Sequence, residues 1–94
     1  MARRRFMIAY DICEPKRLRQ VCKTMEEYGE RLQYSVFICD LSRSELVHAR
    51  AKVERQMDLD EDSVVIVDLG DTDAARFTFV GKRQPLPDAG PRIL

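Results

Sequence analysis

The stretch Arg5 to Asp11, RFMIAYD, drives an apolar run straight into an acidic residue and then stops. Phe6, Met7, Ile8, Ala9 and Tyr10 are too few for a helix of ordinary length, and the breaker segment Asp11-Ile12-Cys13-Glu14-Pro15 follows them, so the stretch reads as a buried strand. Asp11 then sits at the strand's carboxyl end. In open α/β sheets that edge is where ligands and chemistry collect, because loops there vary freely while the strand holds each side chain still. The plainer alternative is a turn residue, since aspartate commonly closes a strand ahead of a helix.

Pro15 suits the first position of a helix, where its missing N–H costs nothing. Leu18, Val21, Cys22, Met25 and Tyr28 then recur at spacings of three and four, which predicts an amphipathic helix ending at Gly29. Arg17 and Arg19 fall in its first turns, close to the strand end that carries Asp11; the plainer reading makes them ordinary solvated helix residues. From Glu30 to Leu41 the pattern shifts from alternating to continuous apolar, which predicts two short strands meeting at a bend near Tyr34 to Val36, with one kinked strand as the alternative. Ser42-Arg43-Ser44-Glu45 matches a capping box, and Leu46, Ala49, Val53 and Met57 form the inner stripe of a second helix. The acidic segment Asp58-Leu59-Asp60-Glu61-Asp62 lacks the glycine and distal glutamate of a calcium loop and reads as a solvated turn. Ser63 to Gly70 is β-branched and continuously apolar, a strand expected to be buried on both faces. A shorter strand is expected over residues 76–81, followed by a proline-rich tail.

Ninety-four residues make one small domain, which a second copy of the chain would help to stabilise. The expected division is a folded unit over residues 1–84 and a tail over 85–94. Formal net charge is zero, which by itself argues against a simple polyanion binder, yet the charges are segregated. Residues 1–33 carry eight basic and five acidic side chains, residues 34–75 four and ten, and residues 76–94 four and one. That distribution permits a basic face able to meet nucleic acid. Three cysteines without C-x-x-C spacing, and a single histidine, His48, fit a reduced protein and give no zinc site. The basic start Ala2-Arg3-Arg4-Arg5 lacks a signal-like apolar region behind it, and no stretch is long enough to span a membrane, so cytoplasm is the expected location.

The element order is strand, helix, strand, strand, helix, strand, with one late strand. Short connections and right-handed crossovers make this an α+β, ferredoxin-like βαββαβ sandwich with an extra C-terminal strand. Both helices would cover one sheet face, so a homodimer is expected to cover the other, the late strand pairing with the partner's sheet edge.

Tyr10-Asp11-Ile12, the helix start Lys16-Arg17-Leu18-Arg19, Tyr28-Gly29, the string Arg31-Leu32-Gln33-Tyr34-Ser35-Val36-Phe37, Asp40-Leu41 and Asp62-Ser63-Val64 together resemble the CRISPR-associated protein 2 family. The resemblance spans roughly residues 4–81. It implies a homodimeric, magnesium-dependent endonuclease acting on single-stranded RNA or double-stranded DNA. It implies equally a bridge between two CRISPR integrase dimers during spacer acquisition, so a non-catalytic DNA-binding scaffold is the alternative. Asp11 matches the family's catalytic and metal-binding aspartate, and Arg17, Arg19, Arg31 and Phe37 match its nucleic-acid-binding residues. Glu14 is the only other acid nearby. Magnesium wants six oxygens, so the rest would come from water, phosphate or the partner's Asp11. Contacts with DNA or RNA should run through the phosphate backbone, with Arg3, Arg4 and Arg5 assisting and Phe37 available to stack on a base. His48 reads as a surface residue.

Overall fold

A computed structural model describes residues 3–82, in the order β1 (Arg4–Asp11), α1 (Pro15–Tyr28), β2 (Glu30–Gln33), β3 (Val36–Leu41), α2 (Arg43–Gln56) and β4 (Ser63–Asp68). The strands form one antiparallel sheet in the order β2-β3-β1-β4. This is the expected α+β, ferredoxin-like sandwich, in which each β–α–β half inserts a strand between those of the other. The tail over residues 85–94 and its boundary lie outside the described residues.

β1 is central, paired with β3 over residues 4–9 and with β4 over residues 6–11. Its alternate residues Phe6, Ile8 and Tyr10 share one core with Val21 and Met25 of α1, Phe37 and Cys39 of β3, and Val53 of α2. The helices begin where local chemistry starts them. Glu14 accepts from the backbone N–H of Lys16 at 3.0 Å and of Arg17 at 2.8 Å, and Pro15 follows as the first helical residue. At α2 the capping box closes, with Glu45 N donating to Ser42 Oγ at 3.2 Å and Ser42 N to Glu45 Oε1 at 2.9 Å.

Between Glu30 and Leu41 there are indeed two strands, parted at Tyr34 and Ser35, with a register shift between Arg31 and Gln33. Gly29 sits just before them with φ −164°, an extended conformation open to any residue. Space is what requires glycine there: an added Cβ would run into the carbonyl oxygen of Ile38 and the side chain of Cys39.

Two expectations need correction. β4 is not buried on both faces of a single chain: Val64 and Ile66 are half-buried towards the helices, whereas Val65 and Val67, which pair with Ala9 and Met7 on the other face, are 53% and 36% exposed. Residues 76–80 form no strand. After β4 the chain stays beside β1 only briefly, Leu69 N donating to Arg5 O and Arg5 N to Gly70 O, both at 2.8 Å. It then turns, leaving Phe77 and Phe79 stacked at 6.3 Å on a segment without a ladder. β1 has both of its edges taken, and after the turn closed by Ala74 N donating to Asp71 O at 2.9 Å the chain pairs with neither outer edge of the sheet, that of β4 or that of β2. Among the described residues, no helix is long and apolar enough to cross a membrane.

Candidate active site

Asp11 is the last residue of β1, directly across from Ser63, and it is exposed. The strand behind it is rigid because Ile8 and Tyr10 are anchored in the core. Ile12 is buried, and the next residue, Cys13, donates its N–H to Asp62 Oδ1 at 2.9 Å. The turn after Asp11 is therefore fastened on both sides.

The fastener is the carboxylate of Asp62, whose side chain is fully enclosed. Besides Cys13 N it accepts Asp58 N on Oδ2 at 2.8 Å, Arg17 Nε on Oδ2 at 2.9 Å and Arg17 Nη2 on Oδ1 at 3.3 Å. The Arg17 guanidinium, followed by the amides of Cys13 and Asp58, holds this carboxyl far below the ordinary carboxylate range. The same pair pushes Arg17 upward. A solvated turn was expected here, so Asp62 is the residue that sequence reasoning missed. Its one signal was the string Asp62-Ser63-Val64 within the family resemblance.

The basic residues divide sharply. Arg17 is committed to Asp62 by a two-point fork and stays only partly exposed. Arg3 pairs with Glu45 at 2.7 Å and Arg4 with Asp68 at 3.1 Å. Arg5 is buried, held by Asp40 through two bonds of 2.8 and 3.0 Å. The expectation that Arg5 assists at phosphates is thus corrected, because it is buried on Asp40, whereas Arg3 and Arg4 sit in half-exposed surface pairs that leave their guanidinium groups open to solvent. Arg19 is exposed and makes no ion pair among the described residues. Lys16 and Lys23 lie three residues before and four after it, on the same stripe of α1, and both are exposed.

Arg19 and Arg31 meet at one cleft of about 420 Å³, whose floor includes Tyr10 and Cys22 and whose rim includes Tyr34. Arg31 donates from Nη1 to Tyr34 O at 3.1 Å and from Nη2 to Cys22 Sγ at 2.7 Å. Its guanidinium carbon also lies 5.4 Å from the centre of the Phe37 ring, within cation–π range. Phe37 itself is 0% exposed and stacked on Tyr10 at 6.1 Å. Stacking of a base on Phe37 is therefore corrected: the ring is a core residue that supports Arg31 from beneath. Burial, and next the neighbouring Cys22, push the Tyr10 hydroxyl well above its usual value, so it stays neutral. His48 is exposed on α2, as expected.

Magnesium demands several oxygen ligands, and among the described residues no group of three or more His, Cys, Asp or Glu side chains converges to hold an ion. One chain offers the Asp11 carboxylate and no cage. The donors of a single chain therefore do not by themselves fit a resident magnesium.

A ferredoxin-like sheet with an exposed strand-end aspartate and a basic cleft beside its first helix is the setting in which the comparisons with known proteins fall. The family model for CRISPR associated protein Cas2 matches residues 4–77. Among curated relatives, a CRISPR-associated endoribonuclease Cas2 of Chlorobaculum tepidum is 32% identical over 93 residues, covering 94% of this chain and 97% of that protein. Another of that name from Rhodospirillum rubrum is 43% identical over 65 residues, covering 69% of this chain but 64%, less than two thirds, of its own length. The crystal structure of Streptococcus pyogenes Cas2 superimposes with a TM-score of 0.74 at 30% identity, covering 82% of this chain and 99% of that one. A hypothetical protein from Thermus thermophilus superimposes with 0.81 at 32% identity, covering 93% and 100%. The chain belongs to the Cas2 family of CRISPR-associated proteins.

Proposed function

We propose that this chain is an endonuclease of CRISPR adaptation that hydrolyses phosphodiester bonds, with Asp11 as its catalytic and metal-holding residue and Arg19 and Arg31 as its phosphate-binding residues. The observation that carries this reading is the exposed Asp11 carboxylate at the end of a strand immobilised by the core and by Asp62. Relatives of full-length coverage carry the name endoribonuclease, which favours single-stranded RNA as the first substrate to try, with double-stranded DNA as the second. A homodimer supports the reading chemically. It would cover Val65 and Val67 and offer residues 76–81 a strand edge, and it would supply a second Asp11. Magnesium would then draw its oxygens from two carboxylates, substrate phosphate and water. Phosphate contacts carry no base information, so cleavage should show little sequence preference.

The second reading is a basic dimeric platform that grips the DNA backbone and joins integrase dimers without cutting. The absence of a three-ligand cluster among the described residues favours it. Cleavage assays with millimolar magnesium separate the two. Under the first reading wild-type protein cuts and Asp11→Asn binds without cutting. Under the second neither cuts, and both support spacer acquisition.

A further inference from the structure

We propose that Asp62 is a positioning residue of the site, holding the Asp11 turn and the Arg17 guanidinium in one fixed arrangement. The inference rests on the reading that Asp11 belongs to the functional site, and adds to it Arg17, held by the same carboxylate that holds the turn after Asp11. Three parts of the fold meet at this one carboxylate. Cys13 N belongs to the turn that leaves Asp11, Arg17 to the first turn of α1, and Asp58 N to the segment after α2. Asp62 also immediately precedes Ser63, the residue across the sheet from Asp11. A rigid ladder thus fixes Asp11 from the β4 side, and Asp62 fixes the turn that leads from Asp11 into α1.

Two features distinguish this from ordinary packing. A carboxylate with its side chain wholly enclosed is tolerable only when its oxygens are satisfied, and here four donors reach the two oxygens. The planar fork of Arg17 matches both oxygens at once, which fixes the direction of the guanidinium as well as its place. Asp62→Asn keeps the volume and one carbonyl acceptor but removes the charge and replaces the second acceptor with a donor. It should therefore leave the core intact and release Arg17 and the turn.

The experiment combines turnover with amide hydrogen exchange. Asp62→Asn should exchange the Cys13 and Asp58 amides about tenfold faster or more, with amides of β1 and β3 unchanged. Its turnover of single-stranded RNA at saturating substrate and 25 °C should fall about tenfold, since misplaced groups cost rate even when binding persists. Arg17→Ala should add little further loss in the Asp62→Asn background, because the two act as a unit. Arg17→Lys, which leaves Asp62 and its amide bonds in place, should show the same loss and guards against misfolding of the first variant. Unchanged exchange at Cys13, or wild-type turnover by folded Asp62→Asn, overturns the proposal, as do independent, additive losses. Should wild-type protein not cleave at all, the nuclease reading fails alone. The exchange arm, read together with the affinity of Asp62→Asn for the same RNA, then decides the role of Asp62: faster exchange with weakened binding supports it, and wild-type values for either refute it.

Discussion

Asp62 shows how a single buried charge sets behaviour that its neighbours inherit. Its folded pKa lies below the unfolded value, as do those of Asp68, Glu14 and Glu45, each lowered chiefly by backbone or arginine hydrogen bonds. A depressed carboxylate contributes stability above its unfolded pKa and loses it as pH falls towards the folded one. Acid unfolding should therefore set in below about pH 4, where unfolded carboxylates begin to take up protons. Denaturant midpoints measured between pH 7 and pH 2 should fall along that limb, and Asp62→Asn should flatten it. Gly29→Ala tests a different constraint: with the Ile38 carbonyl and the Cys39 side chain in the way, we expect a loss of about 1–3 kcal/mol by denaturant melt. Cys39, buried and pushed up to about 12 by that burial, should resist thiol reagents until the chain unfolds, whereas exposed Cys13 should react in the folded protein but more slowly than a free thiol, since partial burial and then the acids Asp62, Asp11 and Glu61 raise its pKa and its Sγ donates to Glu61 O at 2.9 Å.

At the scale of elements, the sequence was most legible where one periodicity ran uninterrupted. β1, both helices and the Ser42 capping box follow from spacing and cap chemistry, and they lie where expected. Legibility ended where a side chain's role depends on a partner distant in sequence. The arginines at positions 3, 4, 5 and 17 all read as free cations, yet their acids lie between 35 and 64 residues away. Local pattern cannot reveal such pairings. The late strand failed for a related reason: whether residues 76–80 meet the free outer edge of β4 depends on the path the chain takes after its turn at residues 71–74, which local pattern does not encode. These pairings revise the expected phosphate contacts. Arg19→Ala should weaken nucleic-acid binding and lower the slope of log affinity against log salt by about one unit. Titrations at several salt concentrations decide it. Arg5→Ala belongs with stability: removing one partner of the buried pair with Asp40 should cost about 3–5 kcal/mol without touching the slope.

For the whole molecule, the sandwich explains why a catalytic role and a scaffold role are hard to tell apart from shape. One face of the sheet is filled by helices, while the other leaves Val65 and Val67 open. A chain of this size gains most from closing such a face with its own copy. Light scattering at micromolar concentration should give a dimer, and loss of residues beyond Gly70 should weaken it or cause aggregation. The functional claim turns on one carboxylate. The most direct measurement is cleavage of single-stranded RNA in millimolar magnesium by Asp11→Asn, with binding to the same RNA measured alongside. Retained affinity with cleavage abolished is the expected result, and undiminished cleavage by the folded variant would contradict the assignment of Asp11.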